Sequence, residues 1–437
     1  MKIAAHTLGC KLNYAETSHI VRQFVSEGFE VVDFREPADV YVVNTCTVTA
    51  VAEKKCRTIV RQAIRLNPRA LVAVVGCFAQ NQAQQVASIP GVRVVLGNNN
   101  KYNLLGIVKS MYGIDSLRGV HDLDSLTPLS STYVDDSQPE TFVPVYSIGD
   151  RTRSFFKVQD GCDYFCTYCA IPFARGRSRS ATIEDTVAVA RQIASQGARE
   201  VVLTGVNTGT FGLRHGEQFV DLLRQLDQVE GILRYRISSI EPNLITDEII
   251  DFVAASRSFL PHFHIPLQAG SDKVLKLMHR HYDTELYARK LDRIKQVMPH
   301  ACIAADIMTG FYGEGATEFD ITCRFVDQIP ISYLHVFTYS ERPNTMALRL
   351  GERVPMEERR LRTHQLQAIS DRKKHLFYSQ HIGESRPVLW ESYNHGGVMQ
   401  GFTDNYIRLS CAYDAQRVNQ VTDETITMQN LVQNFDE

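Results

Sequence analysis

Short apolar runs that alternate with helical segments are the feature that most constrains how this sequence can fold. In the first hundred residues, Val40–Val43 and Leu71–Val75 are continuous and rich in β-branched residues, which is typical of strands buried on both faces. Ile3–Ala5 and Val92–Leu96 extend the series, and residues 48–66 carry apolar residues at helical spacing. This alternation predicts an α/β domain with a parallel, flavodoxin-like sheet.

A second β/α series begins after residue 151 and predicts a partial TIM barrel. Its six apolar runs are Phe155–Val158, Glu200–Leu203, Tyr235–Ser238, His262–Ile265, Cys302–Ile307 and Tyr333–Phe337. Six units are too few for a closed eight-stranded barrel and fit an open (β/α)6 arrangement. After Gly383 the sequence pattern changes to short segments of alternating apolar and polar residues separated by turns, which predicts a small all-β module.

These patterns predict four segments. Residues 1–115 form the sheet domain, 116–150 a polar linker, 151–375 the partial barrel and 376–437 the all-β module. We find no apolar run of about 18 residues, so no membrane span is expected. The first ten residues have too short an apolar stretch for a signal peptide, and a cytoplasmic protein with no membrane partner is expected.

A CxxxCxxC triplet just after the first predicted barrel strand indicates an iron–sulfur site. Cys162, Cys166 and Cys169 can ligate three irons of a 4Fe–4S cluster and leave the fourth iron without a protein ligand. Because an open iron can bind a reactant, the spacing favours chemistry at the cluster over electron transfer alone. The alternative is a structural zinc knuckle or a set of buried thiols, but no second half with zinc spacing follows.

Three further cysteines each directly follow a predicted strand of the first sheet. They are Cys10, Cys46 and Cys77. The carboxyl ends of parallel strands share one edge, so these thiols are expected to meet there, with Gly9 and Gly76 allowing close approach to a bulky inorganic group. The alternative is that they are small buried core residues. Cys56 falls inside the predicted helix and is expected to be a structural or surface cysteine.

The sequence around both triplets resembles that of the radical S-adenosylmethionine (SAM) methylthiotransferases. The resemblance rests on Leu8-Gly9-Cys10-Lys11-Leu12-Asn13, Asn44-Thr45-Cys46-Thr47, Gly76-Cys77-Phe78 and the CxxxCxxC string, in the family's order. It implies a cluster domain, a radical SAM core and a C-terminal module similar to TRAM, with two 4Fe–4S clusters and SAM as cofactors.

The resemblance also implies a role for each triplet. Cys162, Cys166 and Cys169 would hold the cluster that cleaves SAM to methionine and a 5′-deoxyadenosyl radical. Cys10, Cys46 and Cys77 would hold an auxiliary 4Fe–4S cluster that carries the sulfur to be inserted.

Residues at the carboxyl ends of the predicted barrel strands are candidate SAM contacts. The resemblance places Thr204 and Gly205 against the methionine portion of SAM, and Tyr168 is positioned to pack on the adenine unless it is a core aromatic. Glu241 and Gln268 are candidate SAM or substrate contacts, with a solvated strand-end residue as the alternative.

Two positions depart from the family pattern. Tyr312 stands where proline is usual, and Asn344 stands where glycine is usual. Asparagine tolerates left-handed backbone better than most residues, so the turn at Asn344 is expected to survive.

Several strings are most similar to the family type that acts on N6-threonylcarbamoyladenosine (t6A) at position 37 of tRNA. They are Val158–Cys162, Leu203–Gly209, Arg236–Pro242 and His262–Gln268. The implied partners are the tRNA anticodon loop, whose unstacked bases are readable, and a reductant such as flavodoxin or ferredoxin; the sequence does not identify the sulfur donor. The basic run Arg175, Arg177 and Arg179 is expected to meet RNA phosphate or a substrate carboxylate.

Three alternatives for the function stay open at this point. In the first, the enzyme methylthiolates a ribosomal-protein side chain. In the second, it methylthiolates a different modified adenosine in tRNA. In the third, the chain is a non-catalytic iron–sulfur adaptor that binds RNA.

Overall fold

The computed structural model describes residues 1–47, 50–113, 115–117, 133–149 and 151–432, apart from the side chains of residues 50–52. The strands of the first domain are β1 (Lys2–Thr7), β2 (Glu30–Val31), β3 (Val40–Thr45), β4 (Leu71–Gly76), β5 (Val92–Leu96) and β6 (Tyr133–Asp135). Its helices are α1 (Lys11–Ser26), α2 (Ala50–Leu66), α3 (Cys77–Asn81), α4 (Ala83–Ala87) and α5 (Leu104–Tyr112).

The strands of this domain form one parallel sheet in the order β2-β1-β3-β4-β5-β6. The first five follow the strand order of flavodoxin, so the predicted flavodoxin-like sheet is confirmed. Every residue of β3 and β4 is buried because helices cover both faces of the sheet. Phe24 and Ile107 pack on one face, and Val60 and Val86 pack on the other.

The predicted linker contributes a strand to this sheet. Tyr133–Asp135, inside the segment 116–150, is β6 and pairs with β5. Tyr146, also in this segment, forms an isolated antiparallel bridge with Phe156. Residues 118–132 and 150 of the predicted linker lie outside the described residues. The described part of the segment therefore pairs with both neighbouring domains.

The second domain contains six parallel strands in chain order around an open barrel. They are β7 (Ser154–Lys157), β10 (Glu200–Thr204), β11 (Arg234–Ile237), β12 (His262–His264), β13 (Cys302–Thr309) and β14 (Tyr333–Thr338), and a short antiparallel pair, β8 (Gln159–Asp160) and β9 (Arg179–Ser180), follows β7. The hydrogen-bonded orders are β11-β10-β7 and β12-β13-β14, and a single parallel bridge from Tyr235 to Phe259 links the two groups. The predicted (β/α)6 partial barrel is confirmed.

The described part of the second domain also contains eight α-helices. They are α6 (Ile171–Arg175), α7 (Ile183–Ser195), α8 (Phe219–Asp227), α9 (Asp247–Ala255), α10 (Asp272–Leu277), α11 (Thr284–Val297), α12 (Ala316–Gln328) and α13 (Met356–Ser379). Several of these helices have a side-chain cap at their N-terminus. The side chain of Thr182 accepts a hydrogen bond from the backbone N–H of Asp185 in α7, and that of Asp283 accepts one from Leu286 in α11. In the described part of the chain, no helix is both long and apolar enough to cross a membrane.

The C-terminal module is an antiparallel sheet, as predicted. Its strands are β15 (Ser385–Trp390), β16 (Val398–Thr403), β17 (Arg408–Ala412) and β18 (Val421–Thr425), in the order β17-β16-β15-β18. Arg236 fixes the module against the barrel because its guanidinium donates to the carbonyl oxygens of Thr403 and Asp404, at 2.7 and 2.8 Å. The module therefore packs against the barrel at strand β11.

The two departures from the family pattern are both accommodated. Asn344 has a φ of 64°, so asparagine keeps a left-handed turn, as predicted. The ring of Tyr312 is largely buried and packs edge-on against Tyr339 at a centroid distance of 5.8 Å.

Candidate active site

The loop between β8 and α6 carries the CxxxCxxC cysteines. Gly161 precedes Cys162 at a φ of 72°, and a Cβ there would lie 2.1 Å from the carbonyl oxygen of Arg177, so only glycine fits. Further along, the backbone N–H of Cys169 donates to the carbonyl oxygen of Cys166 at 3.0 Å. The loop therefore carries the three thiols within eight residues of chain.

Burial controls the protonation of these thiols. It raises the pKa of Cys162 to about 11 and that of Cys169 to about 12. Burial also raises the pKa of Cys166, although Arg280 Nη1 lies 3.1 Å from its sulfur and opposes the shift. Metal ligation requires thiolates, and a bound cation stabilises them. Three thiols in one largely buried loop therefore fit an iron cluster that supplies this positive charge.

Polar atoms without partners line the barrel rim beside this loop. Among the described side chains, Thr204 Oγ1 at the end of β10 and Asn243 Oδ1 after β11 are buried and have no hydrogen-bond partner. Buried polar atoms are normally paired, so this rim is suited to a polar ligand. Gly205 lies close against Gln159, since a Cβ would be 2.8 Å from Gln159 Oε1. These contacts fit the expected SAM site at Thr204 and Gly205.

Arg280 connects the loop to the other candidate SAM contacts. It forms a buried ion pair with Glu241, and its Nη1 donates to Tyr168 Oη at 3.2 Å. Burial raises the pKa of Glu241, and Arg280 opposes that shift. Gln268 has a φ of 64°, and its backbone N–H donates to the carbonyl oxygen of Asp306 at 2.8 Å, which fixes the turn after β12. Arg280 is not among the predicted site residues, because a lone arginine has no distinctive spacing.

The structure places the other three predicted cysteines at one edge of the first sheet. They are Cys10, Cys46 and Cys77, which follow the adjacent strands β1, β3 and β4. A Cβ on Gly9 would lie 3.0 Å from the Cβ of Cys46, so the first two loops approach closely. Asn13 ties them together, since its Nδ2 donates to the carbonyl oxygens of Leu8 and Thr45 at 3.0 and 3.1 Å.

The third loop of this edge depends on glycine. Gly76 has a φ of 96°, and a Cβ there would lie 2.4 Å from Asn44 Oδ1. Asn98 Nδ2 lies 3.7 Å from the sulfur of Cys77, whose pKa is raised by burial and lowered in part by Arg175. The close approach of backbone and cysteines fits a second cluster at this edge.

Cys56 lies apart from both triplets. It is fully buried in α2 within the apolar core of the first domain, and burial raises its pKa to about 12. It packs with Tyr41 and Val60 in that core. Of its two predicted roles, structural or surface, the structure shows the structural one.

A buried ion network joins the two cysteine sites across the domain interface. Its side chains are at most 3% exposed, and they belong to Glu16, Lys101, Lys157, Asp160 and Arg175. Arg175 Nη1 donates to Glu16 Oε1 and to Asp160 Oδ1, both at 3.0 Å. Burial alone would raise the pKa of Glu16, but Arg175, Lys101 and Lys157 lower it to about 2. The carboxylate is therefore charged and shared between the two domains.

The network reaches both cysteine sites directly. Asp160 lies two residues before Cys162, and its Oδ1 accepts the backbone N–H of Gly161 at 2.8 Å. At the other end, Arg175 Nη2 donates to Asn13 Oδ1 at 2.6 Å, and Asn13 holds the Cys10 loop. The helices that follow the two sites, α3 and α6, also pack against each other. The relative position of the two cysteine triplets is therefore fixed by buried contacts.

The basic run after the CxxxCxxC motif is buried at two of its three arginines. The side chains of Arg175 and Arg179 are 2% and 5% exposed, and Arg179 Nη2 lies 3.3 Å from Asp160 Oδ2. Contact with RNA phosphate would break these buried ion pairs at a large cost, so the burial argues against the predicted RNA-binding role of both. Arg177 is 73% exposed and lies 3.8 Å from Asp163, so its side chain is accessible to a ligand.

One sequence signal for the network exists on α1. Glu16 lies among the buried positions of that helix, with Leu12, Ala15 and Ile20. A carboxylate on the apolar face of a helix requires a buried cation as partner. Nothing local to α1 indicates that the cation is Arg175.

The fold and the site together define a class of protein. A three-cysteine loop after the first strand of a parallel partial barrel, beside a polar rim that lacks partners, is the arrangement of a radical SAM enzyme. Residues 156–326 match the Radical SAM superfamily, and residues 2–97 match a family described as Uncharacterized protein family UPF0004.

Curated relatives cover nearly the whole chain. The chain is 39% identical over 413 residues to the threonylcarbamoyladenosine tRNA methylthiotransferase MtaB of Bacillus subtilis, a match that spans 93% of this chain and 89% of the relative. It is 29% identical over 402 residues to the tRNA-2-methylthio-N(6)-dimethylallyladenosine synthase of Syntrophotalea carbinolica, over 91% of this chain and 90% of the relative. The chain belongs to the radical SAM methylthiotransferase family, and it is an enzyme that uses SAM and 4Fe–4S clusters.

A solved structure supports the fold independently of sequence. The radical SAM methyltransferase TsrM from Kitasatospora setae, solved with cobalamin and a 4Fe–4S cluster, matches with a TM-score of 0.54 at 15% identity. The match covers 91% of this chain and 80% of TsrM. At this identity the similarity concerns the fold alone.

Proposed function

We propose that this enzyme transfers a methylthio group to C2 of N6-threonylcarbamoyladenosine at position 37 of tRNA. The observation that carries the proposal is the pair of cysteine triplets held beside each other by one buried ion network. Two metal sites in fixed relation fit a reaction that both activates a C–H bond and delivers sulfur to the same carbon. The relatives named as threonylcarbamoyladenosine tRNA methylthiotransferases support this choice of substrate.

In this proposal each triplet holds one cluster. Cys162, Cys166 and Cys169 ligate the SAM-cleaving cluster, and Cys10, Cys46 and Cys77 ligate the auxiliary one. Tyr168, Thr204, Gly205, Glu241 and Gln268 contact SAM. The bound clusters and SAM supply the radical and sulfur chemistry, while the residues of the chain orient the substrate and exclude water.

The remaining partners follow from the substrate. The enzyme contacts the anticodon loop, with Arg177 and the C-terminal module as RNA contacts, and we propose that this module is TRAM-like. A flavodoxin or ferredoxin supplies electrons, and a tRNA substrate implies that the enzyme acts in the cytoplasm. The proposed domains are 1–115, 151–375 and 376–437, with 116–150 as the connecting segment.

The test uses full-length protein reconstituted anaerobically with iron and sulfide. SAM, dithionite and t6A-containing tRNA are added, and mass spectrometry measures 5′-deoxyadenosine and 2-methylthio-t6A in digested tRNA. Both products are expected. Deoxyadenosine without the modified nucleoside would favour a ribosomal-protein side chain or another adenosine as substrate. Neither product, with both clusters confirmed by iron count, would favour the adaptor.

Two variants separate the cluster assignments in the same assay. Cys162→Ala is expected to abolish formation of both products, since it removes a ligand of the SAM-cleaving cluster. Cys46→Ala is expected to retain SAM cleavage and to lose methylthiolation. Retained methylthiolation in the Cys46 variant would refute the auxiliary-cluster assignment.

A further inference from the structure

A large cavity lies between the first domain, the inner face of the barrel and the C-terminal module. Its volume is about 1070 Å³, which is enough for a modified nucleoside. Its walls include Cys10 and Lys11 at the start of α1, Ser238 and His264 on the barrel side, and Tyr406 from the module. A proposed ligand of the auxiliary cluster therefore borders a space that can hold the substrate base.

Cationic side chains outnumber acidic ones in the lining of this cavity. Among the described lining residues, Glu391 is the single acidic side chain. The cationic lining side chains are Lys11, Arg22, Arg151, Arg153, Arg236 and Arg408. Two of these cations already have acidic partners. Arg236 pairs with Glu200 at 2.8 Å, and Arg153 pairs with Glu391 at 3.0 Å. An anionic group entering the cavity therefore meets few competing carboxylates.

Lys11 differs from Arg153 and Arg236, which have acidic partners. Of the cationic lining residues, Lys11 is the one next to Cys10 in the chain. It is exposed, and within the described ranges its ammonium forms no hydrogen bond or ion pair. Its charge nevertheless acts inside the cavity: burial raises the pKa of Asp306, but His264, His335 and Lys11 hold it below its ordinary value. His264 Nε2 is itself occupied, at 2.8 Å from Asp306 Oδ1. Lys11 is thus a cation next to Cys10 that is available to a ligand.

We propose that Lys11 selects substrates whose modified base carries a carboxylate, by pairing its ammonium with the carboxylate of the threonyl group. The inference rests on the proposed function and adds a specificity-determining residue to it. A dimethylallyl group, as in the name of the Syntrophotalea relative, offers no charge and would leave Lys11 unpaired. Only a base that carries a carboxylate gains the ion pair with Lys11, so the cavity favours that kind of base over one with an uncharged group.

The first test replaces Lys11 in the full-length reconstituted enzyme. Lys11→Gln is expected to lower kcat/KM for methylthiolation of t6A-containing tRNA about 10- to 100-fold, as for loss of a charge-assisted hydrogen bond. SAM cleavage to 5′-deoxyadenosine and the iron count are expected to stay at the wild-type level. Lys11→Arg is expected to recover most of the activity. Lys2→Gln, the same charge change at the opposite end of β1, is the matched control.

The second test changes the substrate and leaves the enzyme intact. In this tRNA the threonyl carboxylate is converted to a neutral methyl amide. The kcat/KM of the wild-type enzyme on the amide is expected to be lower than on the acid by about the same factor. Lys11→Gln is expected to cause no further decrease of kcat/KM on the amide substrate. This comparison remains valid even if the Lys11→Gln protein fails to hold its clusters, because wild-type enzyme alone reports the preference for the carboxylate.

Three results would overturn the inference. Lys11→Gln with wild-type kcat/KM on t6A-containing tRNA is one, and an equal loss on the acid and amide substrates is another. The third is wild-type enzyme that modifies the amide as efficiently as the acid. Wild-type enzyme that cleaves SAM but does not modify t6A at all would instead refute the proposed function, and the inference with it.

Discussion

Replacement of Glu16 by glutamine tests the buried ion network that joins the two cysteine sites. The carboxylate is fully buried and accepts hydrogen bonds from Arg175 at 3.0 and 3.2 Å, and from Tyr102 Oη at 3.0 Å; its Oε2 lies 2.5 Å from Lys101 Nζ. Glutamine keeps the size of the side chain and removes the charge. The change therefore leaves Arg175, Lys101 and Lys157 buried with Asp160 as their remaining carboxylate within the network.

The expected loss of stability follows from two independent arguments. The fall of the Glu16 pKa from 4.5 to about 2 corresponds to about 3 kcal/mol of folding free energy at neutral pH. Removal of one partner from a buried ion pair costs about 3–5 kcal/mol in general. We expect the free energy of unfolding of Glu16→Gln to be about 3–5 kcal/mol below that of the wild-type enzyme.

The pH dependence of this loss has a defined sign. The folded-state pKa lies below the ordinary value, so the carboxylate contributes fully above about pH 4.5 and its contribution is lost as the pH falls toward 2. The difference between the variant and the wild-type enzyme is therefore expected to shrink as the pH falls below about 5.

The assay is urea denaturation under anaerobic conditions, followed by far-ultraviolet circular dichroism. Glu230→Gln is the control, since Glu230 is exposed and makes no ion pair with another described residue, and its effect is expected to stay within about 0.5 kcal/mol. In the activity assay, Glu16→Gln is expected to lose more methylthiolation than SAM cleavage, because the network positions one site against the other. A variant within about 1 kcal/mol of the wild-type enzyme would refute this account of the interface.

Three shorter predictions address single positions. Cys56→Ala is expected to keep both activities and to lose about 1 kcal/mol of stability, as measured by urea denaturation; loss of a cluster by iron count would contradict its structural role. Gly76→Ala is expected to lower the free energy of unfolding by about 1–3 kcal/mol or more. Gly28→Ala is the control and is expected to lower it less, because Gly28 also has a left-handed backbone but has open space at the Cβ position. Equal losses of stability would contradict the close approach at Gly76. Arg280→Gln is expected to lower 5′-deoxyadenosine formation at least about tenfold, since Glu241 loses a buried charge-assisted partner; a wild-type rate with full iron content would count against this role.

The parts of this protein that were predictable from sequence are those that depend on local pattern. Runs such as Val40–Val43 identify buried parallel strands because burial on both faces excludes polar residues. The CxxxCxxC spacing indicates a cluster because three ligands must come from one short loop. The meeting of Cys10, Cys46 and Cys77 was also predictable, since parallel strands share their carboxyl edge.

The tertiary structure alone decided which charges are exposed and which are buried. Arg175 and Arg177 are two residues apart in the same basic run, yet Arg175 is 2% exposed and Arg177 is 73% exposed. The partner of Arg175 is Glu16, 159 residues away, and no period or spacing in the sequence links them. Lys11 likewise borders the cavity only because α1 packs beside the barrel. An ion pair is set by distance in space, which a local pattern does not encode, whereas strands and cysteine loops are set by neighbours along the chain.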